Sequence, residues 1–447
     1  MSMHWPQLLS ADRLGRARKP QPHDPARSEF RRDADRLTFS TAFRRLQDKT
    51  QVFPLADNDY VRTRLTHSLE VASVGRSLGA RVGAEVCMRH RLENVHGSDF
   101  GDIVAAAALA HDLGNPPFGH SGEDAIRHWF ATSRIAEKAK VGLEPAELED
   151  IAKYEGNAQG FRLIARLQMP DNPGGLQLTH ATLGAFTKYP RESLVPAGVH
   201  EGASGKKFGF YQCERAEFAT VAEACGLVRR TPEAAWWARH PLAFLVEAAD
   251  DICYRLVDFE DGFRLGHLSY EEVRERFLAL IPEAKHPQRL PEAHSDTRRV
   301  QVMRDMAIGA AIDECAELFL AREEEILAGT FDTALIDAVP SAPVWRDIIR
   351  ISRERVYNSP RGVEIEAAGF EVLGGLLDVF VSGLNDASPR SRKLLQLVPA
   401  ENLGPNRAPD AEPYRRLLKM LDFVSGMTDS YAVSLYKKVR GISLPGH

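Results

Sequence analysis

The stretch HDLGNPPFGH at residues 111–120 brings groups that can do chemistry to the end of an apolar helix. The alanine-rich run at 103–110 stops at His111 and Asp112, and glycine and proline residues then lead to His120. Imidazole and carboxylate groups together bind divalent metals, and an imidazole can also transfer protons near neutral pH. The stretch therefore predicts metal binding, proton transfer or both at a helix end.

Two further residues complete a candidate ligand set. His67 lies near the start of one helical pattern and Asp250 on a later one, which gives the order H…HD…D. Metals that act on phosphates favour imidazole and carboxylate ligands on rigid helices, with open positions for water and substrate. A lone histidine is more often a hydrogen-bonded core residue, but the adjacent His111–Asp112 pair with both partners favours a metal site.

Other charged residues close to these motifs have two interpretations each. His120 and Glu123 stand three residues apart, so that the carboxylate could fix the tautomer of a proton-transferring histidine or simply cap a helix. Arg62 and Arg64 precede His67 and could clamp a phosphate through paired hydrogen bonds, or form surface salt bridges.

Helical periodicity dominates the chain and strand patterns are scarce, so we expect an all-α fold. The residues at 170–210 are rich in Gly and Pro and predict an irregular insertion of loops with a short hairpin, or a lid. The chain shows no convincing domain boundary. The predicted helices cover 28–50 with a break near Ser40, a segment from about Thr66, 101–113, a segment from Ser121 and a segment from Pro241.

Two of these helices have features that the structure can test directly. Ser121 and Asp124 have capping-box spacing. The helix from Pro241 has an apolar stripe, and Asp250, Tyr254 and Asp258 follow one another along a different face. Such a face alone is more often solvated surface than the wall of a site.

Composition limits the remaining functions. The net charge of −5 gives no general reason to expect nucleic-acid binding, although the first 50 residues hold eleven Lys/Arg against six Asp/Glu. That local excess suits a polyanion or, more simply, a solvated helix face. We expect no apolar run of the roughly 18 residues that span a bilayer, and no secretory signal. Five scattered cysteines without a CxxC pair predict free thiols in a reducing cytoplasm.

Motifs of other enzyme classes are missing or incomplete. The HEGASGKK stretch at 200–207 lacks the first glycine and the final Ser/Thr of a phosphate-binding loop. The sequence has no HExxH. Hydrolysis at a metal site is the enzyme class that remains.

The motifs resemble those of the HD-domain metal-dependent phosphohydrolases and, among these, the bacterial dGTP triphosphohydrolase branch. The HD pair alone marks the superfamily, whereas NPPFGHSGE, EGNAQ and GMTDSYA are more specific. The matching stretches lie at 28–55, 62–71, 110–123, 155–162, 247–254 and 422–436.

The resemblance implies one unit over 1–447, with an HD core at 60–260 and added C-terminal helices at 265–447. It implies a divalent metal, Mg²⁺, Mn²⁺ or Co²⁺. It also implies that water attacks the α-phosphorus of dGTP or of several deoxynucleoside triphosphates, which releases the deoxynucleoside and tripolyphosphate.

The resemblance also implies roles for individual residues. His120 would transfer a proton with Glu123 as its partner, and Tyr254 would exclude a 2′-hydroxyl. The metal ligands would be His67, His111, Asp112 and Asp250. The remaining substrate contacts would be Gln51 and Asp258 to the 3′-hydroxyl, Arg64 to the phosphates, and Asn157, Gln159 and Arg162 in the nucleotide pocket.

For partners, the resemblance implies a homo-oligomer built from dimers, up to a hexamer, and control by nucleotides or single-stranded DNA in some members. We expect no membrane partner, and we expect a cytoplasmic location. Two alternatives remain open: a phosphodiesterase or 5′-nucleotidase on the same scaffold, and a non-catalytic nucleic-acid-binding regulator.

Overall fold

The computed structural model describes residues 2–16, 27–51, 62–196, 202–286, 295–357 and 360–443. Within these ranges the chain forms helices and isolated bridges but no strand, so the prediction of an all-α fold is confirmed. The α-helices, α1 to α21 in order, are Trp5–Leu8, Glu29–Thr38, Thr41–Arg45, Arg64–His90, Gly97–Ala110, Gly119–Thr132, Arg134–Ala139, Pro145–Ala152, Gly156–Arg162, His180–Phe186, Arg215–Ala224, Pro241–Arg264, Tyr270–Leu280, Asp296–Ala321, Glu323–Leu327, Leu335–Ala338, Ala342–Ile351, Pro360–Leu384, Pro389–Leu395, Pro413–Ser425 and Asp429–Val439.

Helices α4 and α5 lie at the centre of a first hydrophobic core and approach each other closely. A β-carbon on Gly79 would lie 2.7 Å from the carbonyl oxygen of Phe100, so a larger residue would push the helices apart. The alanine run of α5 is buried along its whole length. Because the two helices run antiparallel, the end of α5 that precedes His111 lies beside the first turns of α4, which carry His67.

Helix α12 forms the third wall of the first core and begins at Pro241, as predicted. Proline suits a first turn because its missing N–H would have no partner there, and the side chain of His240 accepts a hydrogen bond from Leu242 N at 3.1 Å. The predicted apolar stripe is buried, and α12 packs against α4, α5 and α14. The opposite face, with Asp250 and Tyr254, is directed towards a cavity.

A second hydrophobic core is formed mainly by α6 to α8 and α18 to α21. Helix α6 begins at Gly119, directly after Phe118, whose φ of 64° is left-handed and whose side chain joins this second core. The predicted capping box of Ser121 and Asp124 is wrong. Ser121 lies inside the first turn, because the chain enters α6 through two left-handed residues, Phe118 and Gly119, without a side-chain cap.

Helix α18 corrects an expectation about membranes. Residues Gly362–Leu384 form a helix that is long and apolar enough, by length and composition, to cross a bilayer. The expectation that no such stretch exists is therefore wrong. Half of its most apolar window is buried inside the protein, and the helix packs against α6, α19, α20 and α21. A core helix of a folded domain has the same properties.

The segment at 170–210 is more regular than predicted. Residues His180–Phe186 form helix α10, which is buried and packs against α5, α11 and α12. Thr179 caps it by accepting a hydrogen bond from Thr182 N at 3.2 Å. The irregular interpretation is wrong for these residues, since they belong to the first core; the residues at 197–201 lie outside the described ranges.

The described part of the first 50 residues forms the short helices α1, α2 and α3, with the predicted break between α2 and α3. Ser40 lies between α2 and α3 and caps α3 by accepting from Phe43 N at 3.2 Å. Part of the charge is paired locally, because Arg13 binds Glu29 at 2.7 Å and Asp33 at 2.6 Å. For Arg13 this pairing agrees with the structural interpretation of the basic residues. The five cysteines are free thiols, as predicted.

Candidate active site

Three of the four predicted ligands meet in one group. Donor atoms of His67, His111 and Asp250 all lie within 4.8 Å of one another. The carboxylate oxygen Oδ1 of Asp250 is 3.1 Å from His67 Nε2 and 3.6 Å from His111 Nε2. Two imidazoles and one carboxylate are therefore directed at a common point.

The surrounding backbone orients these side chains. His111 directly follows α5, and its Nδ1 lies 2.6 Å from the carbonyl oxygen of Ala108, to which it can donate only as N–H. That bond leaves the lone pair of Nε2 for a metal, which is the arrangement that metal-binding histidines use. His67 is buried in the first turn of α4, and Asp250 lies in the middle of α12.

Asp112 lies beside this group. Its Oδ1 is 3.5 Å from His111 Nε2 and accepts from Asn115 Nδ2 at 2.6 Å, while its Oδ2 accepts from Arg64 Nη1 at 2.7 Å. Burial alone would raise the pKa of Asp112, but the Arg64 guanidinium and the nearby histidines lower it to about 2. Asp112 is therefore a carboxylate at neutral pH, as a metal ligand must be. Arg64, predicted to contact phosphates, binds Asp112 in this structure.

Asp250, and not its neighbour Asp251, belongs to the ligand group. Asp251 faces Arg255, whose Nη2 is 3.4 Å from its Oδ1, and burial raises the pKa of Asp251. Arg62 likewise has protein partners, since its Nη1 lies 2.7 Å from Asp261. The phosphate role considered for Arg62 therefore has no support here.

His120 and Glu123 form the predicted pair. His120 Nδ1 lies 3.0 Å from Glu123 Oε2, and 79% of the His120 side chain is exposed, whereas Glu123 is buried. The other oxygen of Glu123 accepts from Gly156 N at 2.7 Å, and Arg127 lies 3.2 Å from Oε2. A rigidly held carboxylate thus supports a histidine that is open to the cavity.

Aromatic side chains form one wall. Tyr254 stacks on Tyr357 with ring centres 5.6 Å apart, and both line the cavity. Asp258, predicted to contact the sugar directly, instead accepts from the Tyr357 hydroxyl at 3.0 Å and does not line the cavity. Burial raises the pKa of Asp258 to about 7. Gln51 lines the cavity, and its buried Oε1 has no hydrogen-bond partner within the described part of the chain.

Two lysines that the sequence analysis missed also line the cavity. Lys188 Nζ lies 3.1 Å from Glu247, and Lys207 Nζ lies 2.9 Å from Glu155. Burial alone would lower the pKa of each lysine, but these carboxylates raise it, so both are cations. No motif marks them, because they come from the Gly- and Pro-rich segment whose contacts are made only in the folded chain.

The cavity has a volume of about 590 Å³ and lies between the two cores. Phe186 and Val246 of the first core line one side, and Phe118 and Ile365 of the second line the other. His111 and Asp250 of the ligand group line this one space together with His120. Its size falls within the range of small-molecule sites.

Two regions of the chain match known protein families. Residues 64–168 match the HD domain, and residues 346–438 match the phosphohydrolase-associated domain. Over 449 residues the chain is 47% identical to the deoxyguanosinetriphosphate triphosphohydrolase-like protein of Synechocystis sp., with 99% of this chain and 100% of that protein covered. The chain belongs to the deoxyguanosinetriphosphate triphosphohydrolase-like family.

Further relatives of this chain have the same or a closely related name. A deoxyguanosinetriphosphate triphosphohydrolase-like protein of Pseudomonas aeruginosa is 40% identical over 99% of this chain and all of its own length. The deoxyguanosinetriphosphate triphosphohydrolase of Serratia proteamaculans is 29% identical over 92% of this chain and 93% of its own. These relatives and the HD domain support a hydrolase.

Two of the three residues predicted for the nucleotide pocket do not line this cavity. Asn157 lines the cavity, and its Nδ2 donates to Glu155 at 2.8 Å. Gln159 and Arg162 are buried behind it and both bind Asp422, with donor distances of 2.9 Å and 2.8 Å. Neither residue lines the cavity, and their N–H groups are bound by Asp422, whereas Gln159 Oε1 has no hydrogen-bond partner within the described residues. The contact of these two residues with a nucleotide stays a prediction.

Proposed function

We propose that this protein hydrolyses deoxynucleoside triphosphates, in a metal-dependent reaction, to a deoxynucleoside and tripolyphosphate. Water attacks the α-phosphorus and the bond to the sugar 5′-oxygen is replaced. The observation that carries the proposal is one cavity that combines a histidine–carboxylate ligand group, a carboxylate-held histidine and two lysines. Each of these serves a separate need of phosphate chemistry.

The residues present fit a divalent metal such as Mg²⁺, Mn²⁺ or Co²⁺. His67, His111 and Asp250 offer donor atoms within 4.8 Å of one another, and Asp112 adds a second carboxylate beside them. Mixed nitrogen and oxygen donors of this kind bind these ions. When bound, the metal polarises a phosphate oxygen and activates water.

Cationic side chains counter the charge of the triphosphate. Lys188 and Lys207 line the cavity, and Arg64 lies at its wall beside Asp112. Burial in a partly enclosed cavity strengthens such attraction, since water screens it less there. We assign these three residues to the phosphates.

His120 moves a proton. Its Nδ1 is engaged by Glu123, which leaves Nε2 as the atom that reaches substrate. In this role His120 protonates the departing 5′-oxygen, or accepts a proton from the attacking water. Glu123 is the partner that fixes the ring.

The sugar packs against the aromatic wall. In this role Tyr254, which lines the cavity, excludes a 2′-hydroxyl. Gln51 Oε1, buried and without a partner within the described residues, accepts a hydrogen bond from the 3′-hydroxyl. Asp258 acts through Tyr357, whose hydroxyl it holds. Asn157 completes the nucleotide pocket.

One assay tests the reaction. The purified protein is incubated with each dNTP, NTP and dNMP plus Mn²⁺, and the phosphate products are separated. We expect tripolyphosphate from dNTPs. Monophosphate from dNMPs would instead indicate the nucleotidase alternative, and the absence of any product would indicate a non-catalytic regulator. Homo-oligomerisation, control by nucleotides or single-stranded DNA, and the cytoplasmic location stay predictions.

A further inference from the structure

A buried carboxylate outside the cavity connects two of its walls. Asp429, in the first turn of α21, is 1% exposed. Its Oδ2 accepts from Thr50 N at 3.0 Å and from Thr50 Oγ1 at 2.7 Å, and its Oδ1 accepts from Phe118 N at 3.0 Å. One side chain from the C-terminal helices thus joins two segments that lie far from it in sequence.

A buried lysine makes a parallel connection. Lys49 Nζ donates to the carbonyl oxygens of Asn115, at 2.6 Å, and Ser425, at 2.9 Å, and the residue is 3% exposed. We call Lys49, Thr50 and Asp429 the clamp. It ties residues 49–51, 115–118 and 425–429 together.

The clamp holds segments that carry functional groups. Thr50 directly precedes Gln51, and Phe118 lies two residues before His120. Phe118 has a left-handed φ of 64°, which a non-glycine residue adopts only where its surroundings hold it. The hydrogen bond from its N–H to Asp429 supplies that support at the point where α6 begins.

The chemistry of the acceptor matters. Three donors converge on the two oxygens of Asp429, and a carboxylate accepts at both. An amide of the same shape has one oxygen and would direct N–H groups at another N–H. The asparagine variant therefore keeps the side-chain volume and removes part of the support.

We propose that Asp429, acting with Lys49, is a positioning residue that holds His120 and Gln51 in place for the reaction. Asp429 lies in the segment that matches the phosphohydrolase-associated domain. The inference rests on the proposed function for its kinetic consequences, but not for its structural ones. Asp429 contacts neither ligand group nor substrate. It acts through Phe118 and Thr50.

The kinetic test compares Asp429→Asn with a matched control, Asp378→Asn. Asp378 also joins a C-terminal helix to α6, since it accepts from Trp129 Nε1 at 2.8 Å and Ser133 Oγ at 2.6 Å, but at the other end of α6. We expect Asp429→Asn to lower kcat by about 10- to 100-fold, as small misplacements of reacting groups do. Mn²⁺ binding should be unchanged. Asp378→Asn should keep the kcat of the wild type.

A double-mutant cycle shows whether the effect passes through His120. In a His120→Ala background, Asp429→Asn should lower kcat no further, because the group that it places is gone. A full additional loss, a wild-type kcat for Asp429→Asn, or an equal loss for Asp378→Asn would each overturn the inference.

Hydrogen exchange separates this inference from the proposed function, because it needs no activity. In Asp429→Asn the amides of Thr50 and Phe118 should exchange at least about tenfold faster, while those of α5 keep their protection. Unchanged exchange at both amides would overturn the inference even in an active enzyme. If Asp429→Asn fails to fold, Thr50→Val, which removes only one donor, should raise KM through Gln51; an unchanged KM would count against the clamp.

Discussion

Replacing Glu123 with glutamine tests whether His120 needs a carboxylate partner. Burial by itself would raise the pKa of Glu123, but the hydrogen bond from His120 and the charge of Lys207 lower it, so the group meets His120 as a carboxylate. In Glu123→Gln the amide oxygen can still accept from Gly156 N, a bond of 2.7 Å in the native protein. The amide nitrogen then faces His120 and cannot accept its N–H.

The expected loss follows from that one bond. A hydrogen bond to a charged group contributes about 1.5–3 kcal/mol, and each 1.36 kcal/mol of barrier changes a rate about tenfold. If the bond supports His120 in the transition state, kcat should fall about 10- to 150-fold. Mn²⁺ content should stay unchanged, because Glu123 does not contact the ligand group. The test is read from kcat and not from KM, since Glu123 Oε2 also lies 3.8 Å from Lys207 Nζ of the proposed phosphate site.

Tripolyphosphate release at saturating dNTP with Mn²⁺ measures kcat. Asp124→Asn is the matched control, since this neighbouring carboxylate is exposed and binds the same Arg127 at 2.8 Å. Exposed pairs contribute little, so the control should keep kcat within about twofold. A wild-type kcat for Glu123→Gln would refute the pairing argument, and an equal loss in both variants would assign the effect to Arg127.

Three other predictions concern the metal, the sugar and pH. Chelation should stop tripolyphosphate release and added Mn²⁺ or Co²⁺ should restore it; turnover that survives chelation would contradict the ligand set. Tyr254→Ala should raise the turnover of NTPs relative to dNTPs by at least about tenfold, because the side chain that blocks a 2′-hydroxyl is removed, and an unchanged ratio would refute this role. Burial raises the pKa of Asp150 to about 7, so the folded chain keeps this proton when the unfolded chain has lost it. The contribution of Asp150 to the free energy of unfolding should therefore fall by up to about 4 kcal/mol between pH 4 and pH 7, and denaturant titrations should show a smaller fall with pH in Asp150→Asn than in the wild type.

The sequence predicted the ligand group because its signals are local. Two of its parts can be recognised from a few neighbouring residues: an apolar helix followed by His111 and Asp112, and a helix that begins at Pro241 and carries Asp250. The break at Ser40 was predictable for the same reason. Periodicity and capping express local backbone preferences, which tertiary contacts here leave intact.

Other features depend on contacts between residues that lie far apart in the sequence. Arg162 was assigned to the nucleotide pocket, but Asp422, 260 residues away, binds it. The seven residues of α10 are too few for a periodic pattern and lie among prolines and glycines. The start of α6 was predicted at a serine cap, whereas a carboxylate 311 residues away supports Phe118 in an unusual conformation.

The division of the protein into two cores has a consequence for its inactivation by heat. His67, His111 and Asp250 belong to helices of the first core, whereas His120 and Glu123 lie on α6, whose apolar residues pack in the second. Loosening the second core would separate the proton-transferring pair from an ion that the first core still holds. Warming should then produce a form that is inactive but still loaded with metal.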